Sequence, residues 1–228
     1  VQWTLALQGS HIVDRKIHGE IRGLGMKLAL VLALVMAMSF TAGCAAFRAG
    51  RVERISDWPP QTAVAGPSIR LVPTGVIRQG RRQGSWHRGE FASWAATLRK
   101  AYESSGYFSE VRFQPAETDL VADVRIFNQG SDTAFLGTLS GLTLGIIPAW
   151  GKDEIQVTTT FTNAQGRTLG TIEKSEDVTI WIHLFMVFAM PGRSPPLQVL
   201  EDVKQDLFRS TVIEAHSMGF FDPLEASP

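Results

Sequence analysis

The sequence predicts an α+β fold: an antiparallel sheet of about five strands with two helices packed on one face. Three observations lead there. Apolar residues alternate with polar ones in five short segments, the period of a strand with one buried face. Two longer segments instead repeat their apolar residues at helical spacing. The order is strand, helix, two strands, a hairpin, helix, and this layering buries one sheet face under two helices.

The elements follow in chain order. Ser68 to Pro73 places Ile69 and Leu71 on one face of a first strand. Glu90 to Ser105 carries Phe91, Trp94, Ala95, Leu98 and Tyr102 as a helical stripe, and Gly106 stops it. Tyr107 to Phe113 reads as a strand ended by Pro115. Asp119 to Asn128 reads as another, with Leu120, Ala122, Val124 and Ile126 on one face. Glu154 to Thr162 and Arg167 to Glu176 form a hairpin turned by Asn163 to Gly166. Leu197 to His216 is the second helix, with Leu200, Val203, Leu207, Phe208 and Val212 on its apolar face.

Upstream of this domain lies a different kind of segment. Met26 and Lys27 precede thirteen residues, Leu28 to Phe40, in which only Ser39 is polar. As a helix these span about 20 Å at ~1.5 Å per residue. A bilayer core of about 30 Å needs roughly 20 apolar residues, so the run has the length of an export-signal core instead. Thr41, Ala42 and Gly43 then lead to Cys44, the only cysteine. The segment TAGC resembles the lipobox of bacterial lipoproteins. Ala42, Gly43 and Cys44 match it, and Thr41 stands where leucine is usual. Cleavage by an ordinary signal peptidase is the alternative. The resemblance implies lipid attachment at Cys44. With Ala45 rather than Asp next to it, it also implies the outer membrane, periplasmic face.

The expected organisation is therefore an upstream extension over 1–25, a signal peptide over 26–43, a lipidated tether over 44–67 and one periplasmic α+β domain over 68–221. Residues 1–25 carry charges of both signs, unlike a short basic leader, so Met26 is the expected start; a long leader is the other reading. Ala45 to Pro67 has arginines and prolines without apolar periodicity, the pattern of an extended linker.

Two further segments do not suit a plain sandwich. Thr133 to Trp150 is uncharged and spaces Gly137, Gly141 and Gly145 four apart, which on a helix permits close backbone approach. Val178 to Met190 is uncharged apart from His183. Residues 133–150 and 178–190 are expected either to project as an apolar helical pair or to belong to the core. On the first reading Phe135, Leu136, Gly137, Gly141, Gly145, Trp181, Phe185 and Phe188 contact a membrane or a partner.

Composition narrows the function. From Cys44 onward 18 Lys and Arg face 20 Asp and Glu, a balance that gives no support to a nucleic-acid partner. Arg78, Arg81, Arg82, His87 and Arg88 form either an anion or headgroup patch or a solvated loop. His87, His183 and His216 are far apart and lack metalloprotease spacing. Ser140 in GTLSG is not a nucleophile elbow, and no serine precedes a lysine by three residues. Asp119 and Asp123 are expected to meet Arg125 or solvent. Glu173, Glu176 and Asp177 are expected as a solvated hairpin end, with a weak cation site as the alternative. No catalytic residue, metal site or cofactor is expected.

The segment ESSGYFSEVRF followed by TDLVADVRI resembles a pattern in small periplasmic lipoproteins, in the domain shared by the N-terminal part of TolB and transport-auxiliary lipoproteins. That resemblance implies an adaptor acting with an envelope protein partner. The expected function is thus a non-catalytic envelope lipoprotein, accessory to outer-membrane assembly, transport or integrity, with membrane lipid held through Cys44. A periplasmic hydrolase with an unrecognised site is the alternative.

Overall fold

The structure is a computed structural model that describes Lys27 and residues 43–60, 66–80, 82–84, 86–131, 134–143, 145–186 and 194–222. Among the described residues seven strands and three helices follow one another as β1 (Gly43–Arg48), β2 (Ser68–Gln79), β3 (Arg82–Gly84), α1 (Arg88–Glu103), β4 (Glu110–Arg112), β5 (Leu120–Gly130), α2 (Ala134–Leu142), β6 (Ala149–Asn163), β7 (Thr168–His183) and α3 (Pro196–Ser217). The sheet runs β1-β7-β6-β5-β2-β3, with β4 also paired to β2.

This corrects the expected five-stranded antiparallel sheet with two helices. The sheet is mixed, because β2 lies parallel to both β5 and β4. The reason is connectivity. Hairpins join antiparallel neighbours, but α1 intervenes between β2 and β5, and a helical crossover returns the chain in the same direction. The strands are also longer than their apolar alternation. Residues 76–79 of the arginine- and glycine-rich run belong to β2, and β3 folds back on it from Ile77 to Gln79.

The expected apolar helical pair does not form. Ala134–Leu142 is helical, but Ala149 and Trp150 open β6, and Val178 to His183 closes β7. These ends pair with each other, Trp150 opposite Trp181 and Ala149 opposite Ile182. Backbone pairing along an existing ladder satisfies each N–H and C=O, which a projecting helix would have to achieve anew.

The segment expected as a tether is structured at its start. Residues 43–48 form the sheet-edge strand β1, antiparallel to β7 from Gly43–His183 to Arg48–Val178. Val52 is buried in the core and Trp58 packs against it.

The core lies between the sheet and the pair α1 and α3. The strands contribute Ile69, Leu71, Leu120, Ala122, Val124, Ile126, Ile155, Val157, Phe161, Ile172 and Val178, the inward set of the period-2 alternation. The helices contribute Trp94, Leu98, Ala101 and Tyr102, and Val203, Leu207, Phe208, Val212 and Ala215. Trp94 meets Phe208 edge-on at 6.0 Å between centroids. The predicted 107–113 strand shrinks to three residues, because Tyr107 and Phe108 turn into the core to pack on Tyr102, His216 and Phe221. The β6–β7 turn is as the sequence predicts: Gly166 takes φ +78°, and Asn163 Oδ1 accepts the N–H groups of Gln165 and Arg167.

Candidate membrane-contact site

One end of the sheet collects the features that the sequence scatters. The ends of β2 and β5 (Gln79, Gly130), the start of β6 (Ala149), the end of β7 (His183) and the start of β1 (Gly43) all lie there, as the strand registers require. Strands β6, β7 and β1 run past Gly130, which is level with Asp153, by about four residues, or ~13 Å. The protruding part is apolar and exposed: Leu142 at 80%, Ile146 at 66%, Trp150 at 47%, Trp181 at 38% and Phe185 at 65%. The two tryptophans are registered across β6 and β7, ring centroids 5.7 Å apart.

Gly145 joins the two segments. Its φ is +77°, a Cβ there would stand 3.0 Å from the Leu184 nitrogen, and its carbonyl accepts the Leu184 N–H at 2.8 Å. Gly137 and Gly141 do something else. Among the described residues an added Cβ at either meets nothing within 4 Å, so neither packs closely on a described backbone as their spacing suggests. Leu136 is half-buried in α2. Phe135 lies within the span of α2, but its side chain is outside the described residues, as is the whole of Phe188. Trp150 and Ile146 are exposed residues that the sequence does not single out as contacts; Leu142 is a position where a charge is expected to distinguish projection from core. Alternation beginning at Ala149 rather than Glu154 is the signal that finds Trp150.

Cys44 is the second residue of β1, half-buried and opposite Ile182. Four residues on, Arg48 is clamped. Its guanidinium donates to Asp206 Oδ2 at 2.5 Å, to Glu176 Oε2 at 3.2 Å and to the Val52 carbonyl at 2.9 Å. Glu176 is fully buried and also accepts the backbone N–H groups of Gly50, Arg51 and Val52. Asp177 is buried too, held by Arg51 at 2.9 Å and Lys152 at 2.8 Å. The acidic group expected to be a solvated hairpin end is therefore, at Glu176 and Asp177, a buried clamp on the N-terminal segment. No local sequence signal links positions 48 and 176; β1 pairing creates the contact.

The other candidate residues lie apart. His216 stacks on Tyr107 at 4.1 Å. His183 Nδ1 accepts the Phe185 N–H. Asp123 is 3.7 Å from Arg125. Asp119 accepts from the Ser68 N–H and hydroxyl, and these bonds hold its carboxyl below the usual range. His87 lines a cavity of about 340 Å³ with Glu90, Asp153, Asn128 and Gln83. Burial, and secondly the charge of Glu90, push the Asp153 carboxyl up. A larger cavity, about 590 Å³, lies between the N-terminal segment and α3, lined by Arg48, Arg54, Asp206 and Arg209 among others. Among the described residues no group of three or more His, Cys, Asp or Glu is placed to hold a metal, and no helix is long and apolar enough to cross a membrane.

No protein-family model matches the chain, and no curated protein sequence does. Among solved structures, a PelC dodecamer from Paraburkholderia phytofirmans aligns over 75% of this chain and 95% of its own, at 11% identity and a TM-score of 0.33. A neuraminyllactose-binding hemagglutinin homolog from Helicobacter pylori aligns over 74% and 90%, at 7% identity and a TM-score of 0.39. Likenesses this distant carry no argument about the function of this chain.

Proposed function

We propose that this protein is a non-catalytic lipoprotein of the bacterial envelope, anchored through Cys44 and accessory to outer-membrane assembly, transport or integrity. One observation carries the reading: the lipobox-like cysteine and the exposed apolar residues of two separate segments meet at the same end of one sheet. A soluble domain has no use for such a patch unless something covers it. The anchor itself comes from the resemblance at TAGC. The membrane is the outer one and the domain faces the periplasm. Labelled fatty acid fed to expressing cells is expected in the wild-type protein and absent from Cys44→Ser, which should fractionate away from the outer membrane. Labelling that survives the substitution rejects the reading. Crosslinking in the native membrane then identifies the envelope partner.

A second reading has its own observation. The cavity that gathers His87 with Glu90 and Asp153 holds a general-base type of residue and a carboxyl pushed up by burial, as a hydrolase would use. Among the described residues that line it there is no serine or cysteine, and a water activated by His87 is the attacking group on this reading. Hydrolysis of an envelope polymer that is lost in both His87→Ala and Asp153→Asn would favour it over the accessory role.

A further inference from the structure

The polar rows behind the exposed apolar end add a measure of depth. On the outward face of the sheet, Trp150 and Trp181 form the last aromatic row. Two residues along β6, about 7 Å at ~3.4 Å per residue, Lys152 begins the charged rows. Lys152, Arg51, Asp177 and Glu154 are joined there by ion pairs. Beyond Lys152 toward the end, the described residues of 134–151 and 178–186 carry no Asp, Glu, Lys or Arg. From that aromatic row β7 runs two more residues to His183, a further ~7 Å, so the uncharged part beyond the paired tryptophans matches the ~5–10 Å to which interfacial elements bury their apolar face. Tryptophan at that level suits the headgroup boundary, and lysine behind it suits the phosphates.

The chain itself identifies what covers this cap. The apolar run Leu28 to Phe40 ends three residues before Gly43, where β1 begins at this same end of the sheet. If the run is cleaved at a lipidated Cys44, the lipid brings the bilayer to this end; if it stays, the run does so itself. Either way the anchor is not on a long leash. Cys44 is in β1, and β1 is held by its ladder to β7 and by the Arg48 clamp on Glu176 and Asp206.

We infer that the sheet stands end-on to the lipid bilayer, with Leu142, Ile146, Trp150, Trp181 and Phe185 immersed and Lys152 and Arg51 level with the headgroups. This deepens the proposed anchoring and rests on it only for the nature of the anchor.

The test is the full chain purified from membranes and reconstituted into phosphatidylethanolamine–phosphatidylglycerol vesicles containing brominated phosphatidylcholine. Quenching of tryptophan emission is expected, stronger with bromines near the headgroup than near the chain ends. In a Trp3→Phe background, Trp150→Phe combined with Trp181→Phe should abolish the quenched component, since Trp58, Trp86 and Trp94 lie elsewhere. Quenching unchanged in that double variant overturns the orientation, as does its absence from the wild type. Trp150→Asp with Phe185→Asp changes exposed side chains and should retain the far-ultraviolet circular dichroism while the Trp181 quenching is lost. Dimerisation of the detergent-free protein that disappears in this charged variant would make a second copy the occupant and overturn the inference. Mass spectrometry at Cys44 is read separately. An unmodified cysteine with quenching intact defeats the lipoprotein reading but leaves the orientation standing; a lipidated cysteine without quenching does the reverse.

Discussion

At the scale of single residues, charge burial decides most outcomes. Glu176 is fully buried and answers Arg48 and four backbone N–H groups, so Glu176→Ala leaves a buried guanidinium without one of its two acids. Breaking such a pair costs roughly 3–5 kcal/mol; urea unfolding should show the midpoint drop, with little change in slope. Asp153 points the other way. Its carboxyl is raised, so the folded state favours the protonated form and ionisation at neutral pH opposes folding. Stability from this group grows as pH falls from neutral through its folded value, levelling off below the unfolded one. Asp153→Asn is accordingly expected to raise the thermal midpoint at pH 7 and to flatten that dependence. Asp119 has the ordinary sign: its lowered carboxyl stabilises above the unfolded value near 3.9, and the gain is lost as pH falls through the folded value. Ser68→Ala, which removes one of its donors, should shrink the acid limb of a melting profile taken between pH 5 and pH 2.

At the scale of elements, helical stripes were readable and strand ends were not. Trp94, Leu98 and Tyr102, and Val203, Leu207 and Val212, are buried as their spacing predicts, because a helix repeats its contacts with the core every turn. Leu207→Ala should therefore cost about 2–5 kcal/mol, measured by denaturant melts. Strand ends depend on neighbours instead. β7 continues from Glu176 to His183 because β1 and β6 both pair with it there, and β2 runs to Gln79 because β5 lies alongside. β1 itself had no signal: GCAAFR shows no alternation, and its edge position is held by backbone pairing and by Arg48. Likewise the small-residue spacing at Gly137 and Gly141 admits no partner backbone among the described residues, whereas Gly145 is needed for its positive φ.

At the scale of the whole molecule, the N-terminal segment belongs to the folding unit. Removing residues 1–60 would strip β1 from β7 and leave Glu176 buried without Arg48. For a chain of this size each kcal/mol is worth about 2–4 °C, so a loss of the size assigned to the clamp lowers the midpoint by roughly 6–20 °C in calorimetry. A passive linker would leave it unchanged.

The sequence alone determined both long helices, the β6–β7 hairpin and the apolar run Leu28 to Phe40 upstream of Cys44. These are local patterns, repeated at one period or confined to a few adjacent residues. Only the tertiary structure decided that the sheet is mixed, that residues 43–48 close its edge, and that Cys44, Trp150, Trp181 and Phe185 share one end. Those facts depend on strand register between residues more than thirty and up to nearly 140 positions apart. Which strand lies beside which follows from competing long-range pairings and burial, and no local period records their result.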